Sequence, residues 1–151
     1  MTRVFTSPAE VRAALGEELG PTGWLVVDQA RIDAFADATG DHQWIHTDPV
    51  RAAAGPHGST IAHGYLTLSL LPLFGRELFR LDFGSARLNY GLGKVRFPAP
   101  VPSGARIRST AAFTDVTEGP AGHTVTTRYV VELDGGGKPA CVAETLVVVT
   151  G

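Results

Sequence analysis

The chain has 151 residues, 44% of them hydrophobic and 19% charged, the size of one domain with a sizeable core and too short for two full ones. Thirteen Lys and Arg against fifteen Asp and Glu give a net charge of −2, without the overall excess of positive charge that phosphate-backbone binding calls for, so no nucleic-acid partner is expected. The longest apolar tract, residues 66–74, falls short of the roughly 20 residues of a membrane span, Cys141 has no partner for an internal disulfide, and the N-terminus lacks a secretory pattern, so a cytoplasmic protein that engages no membrane is expected.

Ser7-Pro8-Ala9-Glu10 has the pattern of a helix start: Ser7 can accept the N–H of Glu10, Glu10 can reach back, and Pro8 suits the first helical position, which predicts a helix over residues 8–15. Gly20-Pro21-Thr22-Gly23 breaks the chain and residues 24–27 read as a short strand. Asp28 then caps a second helix that buries Ile32, Phe35 and Ala36 and stops at Gly40, and Asp48-Pro49 caps one or two further turns through Ala54.

A long helix starts between Ser59 and Gly64 and runs to about Phe79. Residues 65–74 are apolar on nearly every side, which requires a helix that is surrounded. Pro72 removes a backbone donor and presses on the carbonyl of Leu68, so a kink or broken turn is expected there.

After Asp82 the hydrophobic period changes to two. Leu88, Tyr90 and Leu92 share one parity while Val95 and Phe97 take the other, which calls for a bulge at Gly91 or Gly93. Pro98, Pro100, Pro102 and Gly104 form a stiff connection to strands over residues 105–113, 125–133 and 140–149, the last two joined by an Asp134-Gly135-Gly136-Gly137 hairpin turn. Helices first, then four strands in a meander, give an α+β fold with an antiparallel sheet wrapped around a long central helix.

Four of the five histidines, His42, His46, His57 and His63, fall in one stretch with Asp41 and Asp48. His42 and His46 have the i, i+4 spacing of a zinc protease helix, but Gln43 stands where the catalytic Glu belongs and cannot take a proton. A non-hydrolytic metal site from His42, His46 and His63 is the weaker alternative.

Asp41 and His46 suit acid–base work only if residues 41–46 form a turn, since five positions along a regular helix place side chains on different faces. A carboxylate beside an imidazole raises its basicity, and the two can hold one water; the competing reading is a turn-capping Asp41 and a surface His46. Gly64 stands at the start of the long helix, where a backbone N–H can meet a developing oxyanion, or where Gly simply permits tight packing. Cys141 reads as a small buried hydrophobe.

Phe35-Ala36-Asp37-Ala38-Thr39-Gly40-Asp41, Ile45-His46-Thr47-Asp48-Pro49, Ala52-Ala53 and Ile61-Ala62-His63-Gly64, followed by Asn89-Tyr90-Gly91 and Lys94-Val95-Arg96-Phe97-Pro98, resemble the MaoC-like (R)-specific enoyl-CoA hydratases, and among them the single-domain NodN-like branch. The resemblance covers nearly the whole chain after Trp24 and implies a hot-dog fold, with residues 1–151 as a single domain. It implies syn hydration of a trans-2-enoyl-CoA to a (3R)-hydroxyacyl-CoA, with Asp41 and His46 as the catalytic pair and Gly64 as the oxyanion donor. His63 and Asn89 are added as site-lining candidates. No metal or other cofactor is implied, since coenzyme A is part of the acyl-CoA substrate, and a homodimer is the expected assembly. Lys94, Arg96, Arg106 and Arg108, placed on adjacent strand segments, are candidates for its phosphates. An acyl-CoA thioesterase of the same fold, or a non-catalytic subunit that binds acyl thioesters, is the alternative.

Overall fold

The fold is described for residues 2–151 from a computed structural model. Strand β1 (Arg3–Phe5), unseen in the sequence pattern, precedes α1 (Pro8–Ala13). Ser7 accepts the N–H of Glu10 at 3.2 Å as expected, while the Glu10 carboxylate reaches back to the N–H and hydroxyl of Thr6, at 2.6 and 2.9 Å. β2 (Leu25–Val27) leads into α2 (Gln29–Thr39), capped by the Asp28 carboxylate and ended at Gly40, whose φ of 81° is left-handed backbone that suits glycine. Ile32 and Ala36 are buried and Phe35 is half-buried.

A one-turn helix, α3 (Trp44–Thr47), follows, then α4 (Pro49–Ala53) with the Asp48 carboxylate on the N–H of Arg51. The central helical segment is two helices, α5 (Gly64–Ser69) and α6 (Leu71–Leu78), with the junction at Leu70. Pro72 sits in the first turn of α6, where its missing N–H costs nothing, so the break falls two residues before it. The segment is only partly surrounded: Leu66, Leu70, Leu71, Phe74 and Leu78 are buried, whereas Tyr65 is 71% exposed and Pro72 is exposed. The helical segment ends at Leu78, as expected, and Phe79–Leu81 is strand β3, paired in parallel with β1.

Strands β4 (Ala86–Arg96), β5 (Ala105–Gly119), β6 (Gly122–Leu133) and β7 (Cys141–Thr150) join β2 in a five-stranded antiparallel sheet of order β2-β5-β6-β7-β4. Only β5, β6 and β7 form the expected meander; β4 pairs with β7 at the far edge. The cause is the connection after β4: prolines at 98, 100 and 102 cannot close a hairpin, and residues 97–104 carry the chain away from β4 instead. β4 does carry its bulges, with register shifts at Asn89/Gly91 and Leu92/Val95. Neither parity is buried, however, and Leu88, Tyr90 and Leu92 are all more than half exposed.

The helices lie in the concave side of this curled sheet, the hot-dog arrangement implied by the motif resemblance. Phe113 of β5 holds the packing at one end, with its ring meeting Phe5 at 5.1 Å and Phe79 at 4.8 Å, both edge to face. Phe113→Ala removes both contacts from a site that is 1% exposed, and a loss of about 3–5 kcal/mol is expected, read as a lower urea midpoint with an unchanged slope.

Candidate active site

Asp41 lies in the turn between α2 and α3, outside any helix, and its Oδ1 accepts the N–H of Gln43 at 3.3 Å. This turn is what allows Asp41 and His46 to approach. His46, in the single turn of α3, is held from three directions. Its Nδ1–H donates to the carbonyl of Ile61 at 2.7 Å, its own carbonyl accepts the amide of Gln29 at 2.7 Å, and the N–H of Ile61 donates to Ile45 at 3.0 Å. A carbonyl can only accept, so Nδ1 carries the proton and the lone pair of the neutral ring resides on Nε2. Ile61 is fixed in turn because the next residue, Ala62, donates to Val101 at 2.8 Å.

His63 stands immediately before α5 and is 3% exposed. Its ring stacks on that of His46, with centroids 3.9 Å apart and planes inclined by 24°, and its other neighbour is Phe35. Its Nε2–H donates to the carbonyl of Asp41 at 2.9 Å. His63 therefore lies behind His46 rather than lining the cleft.

One carboxylate oxygen of Asp41 and one nitrogen of each ring come within 4.8 Å of one another. A water with two hydrogen bonds of about 2.8 Å spans such a gap. A metal ion fits poorly: each imidazole binds in its ring plane at about 2.0–2.1 Å, and two stacked planes this close to parallel do not meet at that distance. His42, the remaining metal candidate, pairs through Nε2 with Asp37 at 2.8 Å, and that hydrogen bond holds its pKa above the ordinary value.

Burial lowers the pKa of His46, and the neighbouring His63 adds to the effect against the opposing pull of the Ile61 carbonyl and Asp41. The sequence expectation of a more basic imidazole is thus reversed, because the ring is only 7% exposed. Cys141 is buried, and its thiol is pushed up to about 11, an unreactive environment.

His46, Gly64, Thr67 and His57 line one cleft of about 280 Å³ with Phe97 across it. Gly64 is the first residue of α5, and a Cβ there would come 3.1 Å from the Phe97 ring. Asn89 does not join them. It borders a separate groove of about 990 Å³ with Leu68, Pro72, Tyr90 and Leu92, beneath the half-open β4 edge, where Tyr129 forms part of the wall.

Of the basic residues expected on adjacent strands, Arg106 pairs with Asp134 and Arg108 with Glu132, both lie over the Trp24 ring, and β6 and β7 separate their strand from β4. Lys94 and Arg96 remain exposed on β4.

Sequence reasoning missed Gln29 and Thr67. Gln29 binds the His46 carbonyl through its amide and accepts the Thr60 hydroxyl, but as the first residue of a helix it gives no pattern to read. Thr67 is simply a polar residue in an apolar helix, buried at the cleft wall.

Residues 10–134 match the family described as "MaoC like domain". The 3-hydroxyacyl-thioester dehydratase Z of Mycobacterium tuberculosis is 51% identical over 148 residues, covering 96% of this chain and 97% of that protein. Nodulation protein N of Rhizobium leguminosarum is 43% identical over 146 residues, 95% of this chain and 91% of its own length. Among solved structures, the (R)-hydratase from A. caviae involved in PHA biosynthesis superposes with a TM-score of 0.72 at 24% identity, over 89% of this chain and 96% of that one. Among the described residues no helix is long and apolar enough to cross a membrane.

The unfolded chain takes up the His46 proton more readily than the folded one, so stability is expected to fall as pH drops below about 6.5. Urea titrations should show a shallower acid-side loss in His46→Gln than in the parent protein.

Proposed function

Because the chain belongs to the MaoC-like dehydratase family, we propose that it is a hydro-lyase that reversibly adds water to a trans-2-enoyl-CoA to give a (3R)-hydroxyacyl-CoA. The observation that carries this reading is the locked His46 tautomer, Nδ1–H on the Ile61 carbonyl and the lone pair on Nε2, in a ring with a nitrogen within 4.8 Å of an Asp41 carboxylate oxygen.

In this reading His46 Nε2 takes a proton from water as the oxygen bonds to C3. Electron density moves from the double bond onto the thioester oxygen, which the N–H of Gly64 receives, and the proton is returned to C2 as the enolate collapses. Asp41 holds the water and helps deliver that proton from the same face, which makes the addition syn. The lowered pKa keeps His46 a free base at neutral pH, and no metal or redox group enters any step. Lys94 and Arg96, on β4, are the basic residues offered to the carrier phosphates.

Hydrolysis of the thioester on the same fold would draw on a carboxylate of the central helix. α5 contains neither Asp nor Glu, and Glu77 near the end of α6 accepts the N–H of Gly23 at 2.7 Å. A purely binding role leaves the oriented imidazole without a task.

Crotonyl-CoA should lose its enoyl absorbance with the purified protein, and Asp41→Asn and His46→Gln should each lower kcat about 10²- to 10⁴-fold. Near-full activity in both variants, or release of free thiol with the double bond intact, would overturn the assignment.

The assembly proposed is a homodimer with a second copy across β4. An unpaired edge bearing the exposed Leu88, Tyr90 and Leu92 supports it. Sedimentation at micromolar concentration should give a dimer, and Leu92→Lys should shift it toward monomer.

A further inference from the structure

We propose that His63 is a positioning residue for the reaction, holding the Asp41 turn through its Nε2–H and the face of the His46 imidazole through its ring. This rests on the reading above, in which Asp41 and His46 do the chemistry.

Burying an imidazole between two aromatic rings is costly unless its polar atoms are satisfied. His63 satisfies only half of that requirement: Nε2 meets the Asp41 carbonyl, and Nδ1 is buried with no hydrogen-bond partner among the described residues. A packing role alone would be served better by an apolar ring at this site. What an apolar ring lacks is the donor to Asp41.

That donor matters because of where Asp41 is. Its carboxylate is half exposed: Oδ2 lies 4.0 Å from His63 Nε2, and Oδ1 takes only the long 3.3 Å bond from Gln43. The turn has no regular structure of its own, so the hydrogen bond from His63 to the backbone of Asp41 is its tie to the buried part of the site. The same ring lies flat on His46 and fixes the plane in which the Nε2 lone pair points. One buried side chain thereby sets the position of both groups that must share a water.

Stacking also couples the rings electrically. A charge on His46 is opposed by the second imidazole 3.9 Å away. The other ionisable groups around His46 are Asp41 from the turn and His57, which lines the same cleft. α2 contributes the neutral amide of Gln29, and the connection after β4 contributes Phe97, Ala99, Pro100 and Val101.

Two substitutions separate the roles. His63→Phe keeps a flat ring and loses the donor; His63→Gln keeps an N–H donor and loses the ring. With crotonyl-CoA, kcat of His63→Phe should fall about 10- to 100-fold with KM nearly unchanged, and His63→Gln should restore most of that loss. In both variants the acid limb of kcat/KM should move to higher pH, since removing the second imidazole lets His46 protonate more readily.

The same shift can be read without turnover, by following the labelled His46 ring in an NMR pH titration of the full chain. Wild-type kcat with an unmoved acid limb in His63→Phe, or no recovery in His63→Gln, would overturn the proposal, as would an unshifted His46 titration. Asp41→Asn and His46→Gln, assayed alongside, separate the two failures. If those two are inactive and the His63 variants behave like the parent, this inference alone fails; if those two are active, the reading of the site fails with it.

Discussion

The carbonyl of Ile61 accepts the Nδ1–H of His46 while the N–H of Ile61 donates to the carbonyl of Ile45. This two-point bond ties a one-turn helix, too short to be stable alone, to an extended segment that Val101 and Pro102 anchor from the strand side. Without it α3 would keep only the Gln29 amide and the His63 ring as ties, and His46 would have no fixed tautomer. The helices before it and the helix after it depend on the same anchor, because Gln29 reaches His46 from α2 and Gly64 opens α5 three residues beyond Ile61.

The chemistry of the site follows from the burial this anchor enforces. An imidazole at the surface beside a carboxylate would be more basic than usual, whereas here desolvation outweighs the Asp41 charge and makes the ring less basic than usual. The carboxylate has stayed half exposed and the imidazole has not. Two groups of the same local sequence therefore occupy different dielectric surroundings, which suits the acid–base roles proposed for them.

The sheet divides its tasks between its two edges. At the β2 side, Arg106 and Arg108 are committed to Asp134, Glu132 and the Trp24 ring, a solvated and paired face. At the other edge β4 carries exposed apolar side chains over a groove of about 990 Å³ that the central helices leave open. Those helices were apolar on too many sides for one small sheet to cover, and the uncovered part lies at this edge.

Local chemistry was written plainly in the sequence. Ser7, Asp28 and Asp48 cap their helices with their own side chains, Gly40 ends one, Pro72 limits another, and the change of parity along β4 requires its bulges. The family resemblance of the segment from Phe35 to Gly64 implied one site for Asp41, His46 and Gly64; in the structure His46 and Gly64 share a cleft, and Asp41 lies close to His46. Tertiary structure alone decided that β4 crosses to β7, that Arg106 and Arg108 stand far from Lys94, and that Asn89 borders a different cavity from His46. It also decided the protonation of His46 and the place of His63 beneath it. Caps, breaks and bulges depend on residues within a few positions of one another, whereas strand pairing, burial and the stacking of two rings are set by segments that meet only once the chain has folded.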